Sequence, residues 1–236
     1  MRSDVTPCAH CPTRLACVTS QMTPRDLEAV EPEIRKRRAL RGEELATEGE
    51  VAHSVQVIRA GMAFTFHRGV DGRTRTVAIA RPGTPLGVYG VFGQATPFSA
   101  AAGSRAGICT IPVRALAGIA ARNSEYARHL ASTAMDMCGR IASWSGAARI
   151  RGVANQLAYA LLLLTDSDSA QAVDLPTHVA LAELLGSTRE TVARGLSMLE
   201  QEGAIRRDSG KHCELRRDAL TVRLQKPARG EPRAPT

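Results

Sequence analysis

The sequence predicts an α+β chain: an N-terminal β-roll of the jelly-roll type, a long helix, and a C-terminal winged helix-turn-helix. Three observations carry this. Between about Ala46 and Pro112 the short β-prone runs SVQVIRA, AFTFHR, RTVAIA and GICTIP are separated by Gly, Pro or Asp-Gly, the texture of a small antiparallel roll. Residues 121–149 keep small and apolar residues at alternating spacings of three and four, which is helical. LPTHVALAELLGSTRETVARGLSMLEQEGAI, residues 175–205, is two helix-length segments joined at a glycine.

The 236 residues suffice for one large domain or two modest ones. Aromatic residues are only 3% of the chain, so the core must rest on Leu, Val, Ile and Ala. The longest apolar run, LAYALLLL (157–164), is far shorter than the ~18 residues of a membrane span, and the N-terminus lacks a signal-peptide pattern. A cytoplasmic chain with no membrane partner is expected. Residues 1–150 carry 19 Lys/Arg against 12 Asp/Glu, and residues 151–236 carry 12 against 11. The basic run IRKRRALR (34–41) and the tail from Arg206 could attract phosphates or form solvated faces, and charge does not decide between them.

The head, CAHCPTRLAC (8–17), places three of six cysteines within ten residues. In a reducing compartment such cysteines bind metal or react more readily than they form disulfides. Zinc on Cys8, Cys11, Cys17 and either His10 or Cys109, a thiol redox switch, and an iron–sulfur cluster are all open. TPRDLEAVEPEI (23–34) reads as a short helix capped by Thr23, with Pro24 at its first position. Asp71-Gly72 marks a hairpin.

In the long helix Ala127, Leu130, Ala134, Met137, Ile141, Trp144 and Ala148 form a seam of period ~3.5, suited to a partner helix or to packing on its own domain. A helix follows at about 151–165, then a loop at TDSDSA. In the helix-turn-helix, Thr177 caps the first helix, Gly186 supplies the left-handed turn and Thr188 caps the second. The outward start of that second helix carries Arg189, Glu190 and Arg194. Arg can read guanine and Glu cytosine in the major groove; the alternative is a surface salt-bridge set, Glu190–Arg194 being an i, i+4 pair. Thr177, His178, Thr188, Thr191 and Lys211 are candidate phosphate contacts. AIRRDSGKHCELR, turning at Ser209-Gly210-Lys211, suggests a β-wing. The expected division is 1–22 cysteine-rich segment, 23–120 roll, 121–150 dimerisation helix, 151–224 DNA-binding domain and 225–236 disordered tail. No nucleophile–base pair, P-loop or dinucleotide fingerprint appears, so no enzyme is expected.

This order of parts resembles the CRP/FNR superfamily of bacterial transcription regulators, over about residues 8–222, most specifically in GSTRETVARGLSMLEQEGAI and the cysteine arrangement. The resemblance implies a cyclic-nucleotide-binding-like roll, a homodimer on palindromic double-stranded DNA, and RNA polymerase as a further partner. The cyclic-AMP branch needs an acid and an Arg-Ser/Thr-Ala motif in its phosphate cassette. The matching stretch, PLGVYGVFGQATPFSAAAGSRAG, has no acid, and Arg105 is not in that motif, so no cyclic nucleotide is expected.

The FNR branch holds a [4Fe–4S] cluster on three clustered N-terminal cysteines and one distant cysteine. Cys8, Cys11 and Cys17 match its C-x2-C-x5-C spacing, and Cys109 in GICTIP stands where its fourth ligand precedes Ile-Pro. What this implies is oxygen sensing: the cluster promotes the DNA-binding dimer, and O2, or nitric oxide, destroys it through a [2Fe–2S] form. The alternatives are a zinc- or thiol-based regulator of the same fold and an iron–sulfur carrier that binds no DNA. Three departures stand out. Arg189 and Ala193 replace the FNR-type Val and Ser, favouring TGTGA over TTGAT half-sites. Pro12 follows Cys11 where FNR has Ser. Ile141 stands where FNR uses an acid to keep the cluster-free form monomeric. Cys138 and Cys213 are left over, Cys138 as a small packing residue beside the seam.

Overall fold

The computed structural model describes residues 6–165, 172–208 and 211–225, in two compact units that meet in sequence between Ile141 and Ala142. The loop expected at TDSDSA, the Ser209-Gly210 turn and the tail beyond Gln225 lie wholly or mostly outside the described residues.

In the first unit α1 (Pro24–Val30) starts as its sequence predicts. The Thr23 hydroxyl accepts a hydrogen bond from the Asp26 amide at 3.1 Å, and Leu27 and Val30 are buried. Eight strands follow: β1 (Arg35–Ala39), β2 (Glu44–Ala46), β3 (Ser54–Ala60), β4 (Ala63–Arg68), β5 (Thr74–Ala80), β6 (Pro85–Leu86), β7 (Ser99–Ala102) and β8 (Ala106–Pro112). They form two four-stranded sheets, in the orders β1-β8-β3-β6 and β2-β7-β4-β5. One core takes Val55, Val57, Ile108 and Ile111 from the first sheet and Ala63, Ala80, Ala100 and Ala102 from the second. The basic run 34–41 contains β1, an edge strand with Arg35 and Arg38 exposed. Charge on an edge blocks pairing with another chain, while Lys36 and Arg37 of the same run are half-buried.

The helix expected over residues 121–149 is α3 (Ser124–Arg149), and a separate helix, α2 (Val113–Arg122), precedes it. Asn123 breaks them apart: its extended backbone ends α2, and its side chain accepts from the Tyr126 amide at 3.0 Å to cap α3. Of the two readings of the seam along α3, a partner helix or the chain's own domain, the burial within one chain bears on the second. Leu130, Ala134 and Met137 belong to the core of the first unit, with Ile141 packed against it, and Trp144 is buried in the second. Ala127 and Ala148 are half-buried. The pattern of period ~3.5 is thus largely filled by the chain itself. Exposed instead are Ser132, Met135 and Gly139 in the first unit and Ala142 and Gly146 in the second, again at spacings of three and four. Cys138 is not a packing residue: it is exposed, its sulfur 3.3 Å from the Tyr89 hydroxyl, which also donates to the Ala134 carbonyl at 3.0 Å.

The second unit contains α4 (Val153–Leu163), β9 (Ala172–Asp174), α5 (His178–Leu184), α6 (Arg189–Gln201), β10 (Ile205–Arg207), β11 (His212–Leu215) and α7 (Arg217–Gln225). The three strands pair antiparallel in the order β10-β11-β9, and Cys213 is buried beneath them. Leu157 and Leu161 of α4 and Val192, Leu196 and Leu199 of α6 are fully buried. The closest approach is at Gly195, where a Cβ would fall 2.6 Å from Leu157 Cδ1 and 3.4 Å from Val153 Cγ1. Gly195→Val is therefore expected to overpack this contact and lower unfolding stability by about 1–3 kcal/mol, read by urea or thermal melting. An unchanged midpoint would mean that α4 yields freely.

Candidate sensor and nucleic-acid sites

The cysteine head lies on the first unit. Two 3₁₀ turns, Cys8–His10 and Arg14–Ala16, shape it, and Val18, Thr19 and Met22 bury its distal end. Gly83 leaves room for it, since a Cβ there would sit 2.5 Å from the Cβ of Ala16. Polar contacts fix it: the Cys8 amide donates to Glu31 Oε1 at 2.7 Å, Lys36 Nζ donates to the Thr6 carbonyl at 2.6 Å, and Arg14 donates to the Thr19 carbonyl at 2.6 Å. Two further contacts tie it to α3: the Tyr126 hydroxyl donates to the Val18 carbonyl at 3.1 Å, and Ser20 Oγ lies 3.2 Å from His129 Nε2.

Cys109 is buried in β8, and Cys8 is buried beneath the head. Burial pushes Cys109 up to about 12, with Arg59 opposing and Cys17, Cys8 and Cys11 each adding to the rise. Each of the three head thiols thus acts on Cys109. Burial, reinforced by Glu31, pushes Cys8 up to about 11 and also raises Cys17, whose sulfur accepts from the Thr19 hydroxyl at 3.4 Å. Cys11 differs. Burial is overcome there by hydrogen bonds from Thr13, whose hydroxyl is 3.2 Å from the sulfur, and from the Arg59 guanidinium, so its pKa falls. Those two groups act where Pro12 has no N–H to offer. All four cysteines are free, and His10 is exposed. Among the described residues, no three His, Cys, Asp or Glu side chains are close enough to share one metal ion. The donors at this site are four free thiols, a set that thiolate-held metal groups take, with Arg59 and Lys36 acting on them.

In the second unit Thr177 caps α5 by accepting from the Ala180 amide at 3.3 Å, and Thr188 caps α6 by accepting from the Thr191 amide at 3.2 Å. Gly186 takes the left-handed conformation at φ +60. Arg189, Glu190 and Arg194 are exposed. Arg194 bonds to Thr191 Oγ1 at 3.4 Å, and no ion pair joins it to Glu190 among the described residues, so the salt-bridge alternative is not realised. Beside them is a cleft of about 410 Å3 lined by Thr177, His178, Arg207 and Lys211, among others. Burial, then Arg207 and Arg189, lower the pKa of His178. Arg207 is missing from the sequence-based set because its role depends on folding: its guanidinium bonds to Glu200 at 2.6 Å, which fixes it at the cleft.

Inside the roll, the stretch where a cyclic nucleotide's phosphate and ribose would need a cation and an acid carries buried Val88 and Phe98 instead.

Residues 36–123 match the cyclic nucleotide-binding domain family, and residues 155–222 match the Crp-like helix-turn-helix domain family. The cyclic AMP receptor protein of Thermus thermophilus is 24% identical over 206 residues, covering 84% of this chain and 92% of the relative. The transcriptional activator protein Anr of Pseudomonas protegens is 26% identical over 124 residues, about half of each chain. The structure of FixK2 from Bradyrhizobium japonicum superposes with a TM-score of 0.69 at 22% identity, covering 80% of this chain and 96% of that one. At these identities the structural likeness speaks to the fold.

Proposed function

Because the chain is a DNA-binding transcription regulator of the CRP/FNR family, and not an enzyme, we propose that it responds to oxygen through a [4Fe–4S] cluster held by Cys8, Cys11, Cys17 and Cys109. The observation that carries this reading is the seating of the cysteine head on the sheet of Cys109: Lys36, which faces Cys109 across β1 and β8, holds the Thr6 carbonyl just before Cys8. A bound cluster supplies redox and ligand-exchange chemistry at thiolate-held iron. The chain's own residues convert its presence into a signal. Val18 and Ser20, just after Cys17, hold Tyr126 and His129 of α3, so the order of the head and the position of α3 are linked. A ligand shifts such an equilibrium only by its differential affinity for the two states, and the head thiols supply it.

The partners in this reading are a second copy of the chain, palindromic double-stranded DNA and RNA polymerase. Arg189, Glu190 and Arg194 read bases, while Thr177, His178, Thr188, Thr191 and Lys211 contact phosphates. Buried Val88 and Phe98 support a roll that takes no cyclic nucleotide.

Anaerobically purified protein is expected to absorb broadly near ~400 nm, to carry about four irons and four sulfides per chain, and to bleach in air. Colourless protein with one zinc, unchanged in air, would leave a regulator with a different sensor. Colourless, metal-free protein whose DNA affinity follows thiol oxidation would establish the thiol-switch reading.

A further inference from the structure

β8 lies between β1 and β3, and Cys109 faces Lys36 across one border and Val57 across the other. Residues directly opposed in a sheet share a face, so Lys36 and Cys109 project together. The β3–β8 register shifts between Ile58 and Ala60, which puts a bulge at Arg59. A bulge re-aims the side chain it carries, and the positive charge of Arg59 acts on both Cys11 and Cys109, pulling each thiol's pKa downward. Lys36, tied to the Thr6 carbonyl, acts on Cys8 from the other side. Arg14 acts on Cys17, and Glu31, on the Cys8 amide, is the carboxylate that acts on Cys8.

We propose that Arg59 and Lys36 are positioning residues that clamp the cysteine site from two sides, offset the negative charge of its metal-bound thiolates and set how readily that site is oxidised. The proposal rests on the four-cysteine reading above. A cubane on four thiolates is a dianion in its oxidised resting state. A buried anion needs paired cations and hydrogen bonds to its acceptors, and net charge and hydrogen bonds to sulfur set cluster potentials. Arg59 supplies a cation and an N–H donor at Cys11; Lys36 supplies a cation at Cys8.

The test is a reductive titration of anaerobically purified wild type, Arg59→Gln, Arg59→Lys and Lys36→Met with dithionite and mediators, which adds one electron to the resting dianion. Iron and sulfide content and the rate of bleaching in air are measured alongside. Arg59→Gln is expected to keep its iron and sulfide but to show a more negative midpoint and severalfold faster bleaching. Arg59→Lys should recover part of both changes, and Lys36→Met should shift both in the same direction as Arg59→Gln. Wild-type protein without iron and sulfide would overturn the cluster reading and this proposal together. Wild type with a cluster, but variants equal to it in midpoint and lifetime, would overturn the clamp alone. If Arg59→Gln fails to fold, judged by the melting of the cluster-free protein, Lys36→Met decides.

Discussion

Replacing Arg189 with alanine is expected to abolish sequence-specific DNA binding while the fold and the non-specific affinity survive. Arg189 is the first residue of α6, exposed and free of ion pairs among the described residues, so its removal leaves no buried partner behind. A bidentate Arg–guanine contact is worth about 1–3 kcal/mol of discrimination, and a symmetric dimer on a palindrome loses it twice. Lys211→Ala should act differently, weakening all sequences alike and lowering the salt slope by about two, one for each subunit. Fluorescence anisotropy on a TGTGA palindrome and a scrambled duplex, across a salt series, separates the two. Equal losses on both duplexes would make Arg189 a phosphate contact. Binding-site selection from random duplexes should return TGTGA-like half-sites, because Arg189 adds a guanine donor where valine has none; a strict TTGAT product would sink that reading.

The helix-turn-helix was legible because each of its parts is local. Thr177, Gly186 and Thr188 do their work within three residues of themselves, and the inward positions of α6 follow the period of a helix. β1 was not legible as a strand, because Arg35–Ala39 shows no apolar alternation; a strand at a charged edge needs none. Asn123 and Gly195 also escaped notice. A cap in the middle of a helical pattern looks like an ordinary polar residue, and a glycine in a helix looks like a weak position until the neighbouring helix is present. At the cysteine site, spacing pointed to the three head thiols and the family resemblance to Cys109, but neither pointed to Arg59. Its reach depends on a register shift in β3, and nothing in the string SVQVIRA announces a bulge.

On α3, Leu130→Ala and Met135→Glu are expected to have opposite kinds of effect. Leu130 is fully buried in the core of its own unit, so truncating it should cost about 2–5 kcal/mol of folding stability, at high and low protein concentration alike. Met135 is 72% exposed and lies between Ser132 and Gly139, small residues that allow a second helix to come close. A carboxylate there should separate the dimer and leave the melting of the monomer nearly untouched, as sedimentation and thermal denaturation over a range of concentrations would read. Ile141, the apolar residue that stands where FNR carries an acid, packs against the core of the first unit, so Met135 is the better handle on the monomer–dimer equilibrium. If Leu130→Ala were instead to dissociate dimers of otherwise stable chains, and Met135→Glu were silent, the buried seam would have to open to a partner, and α3 would be repacked in the dimer.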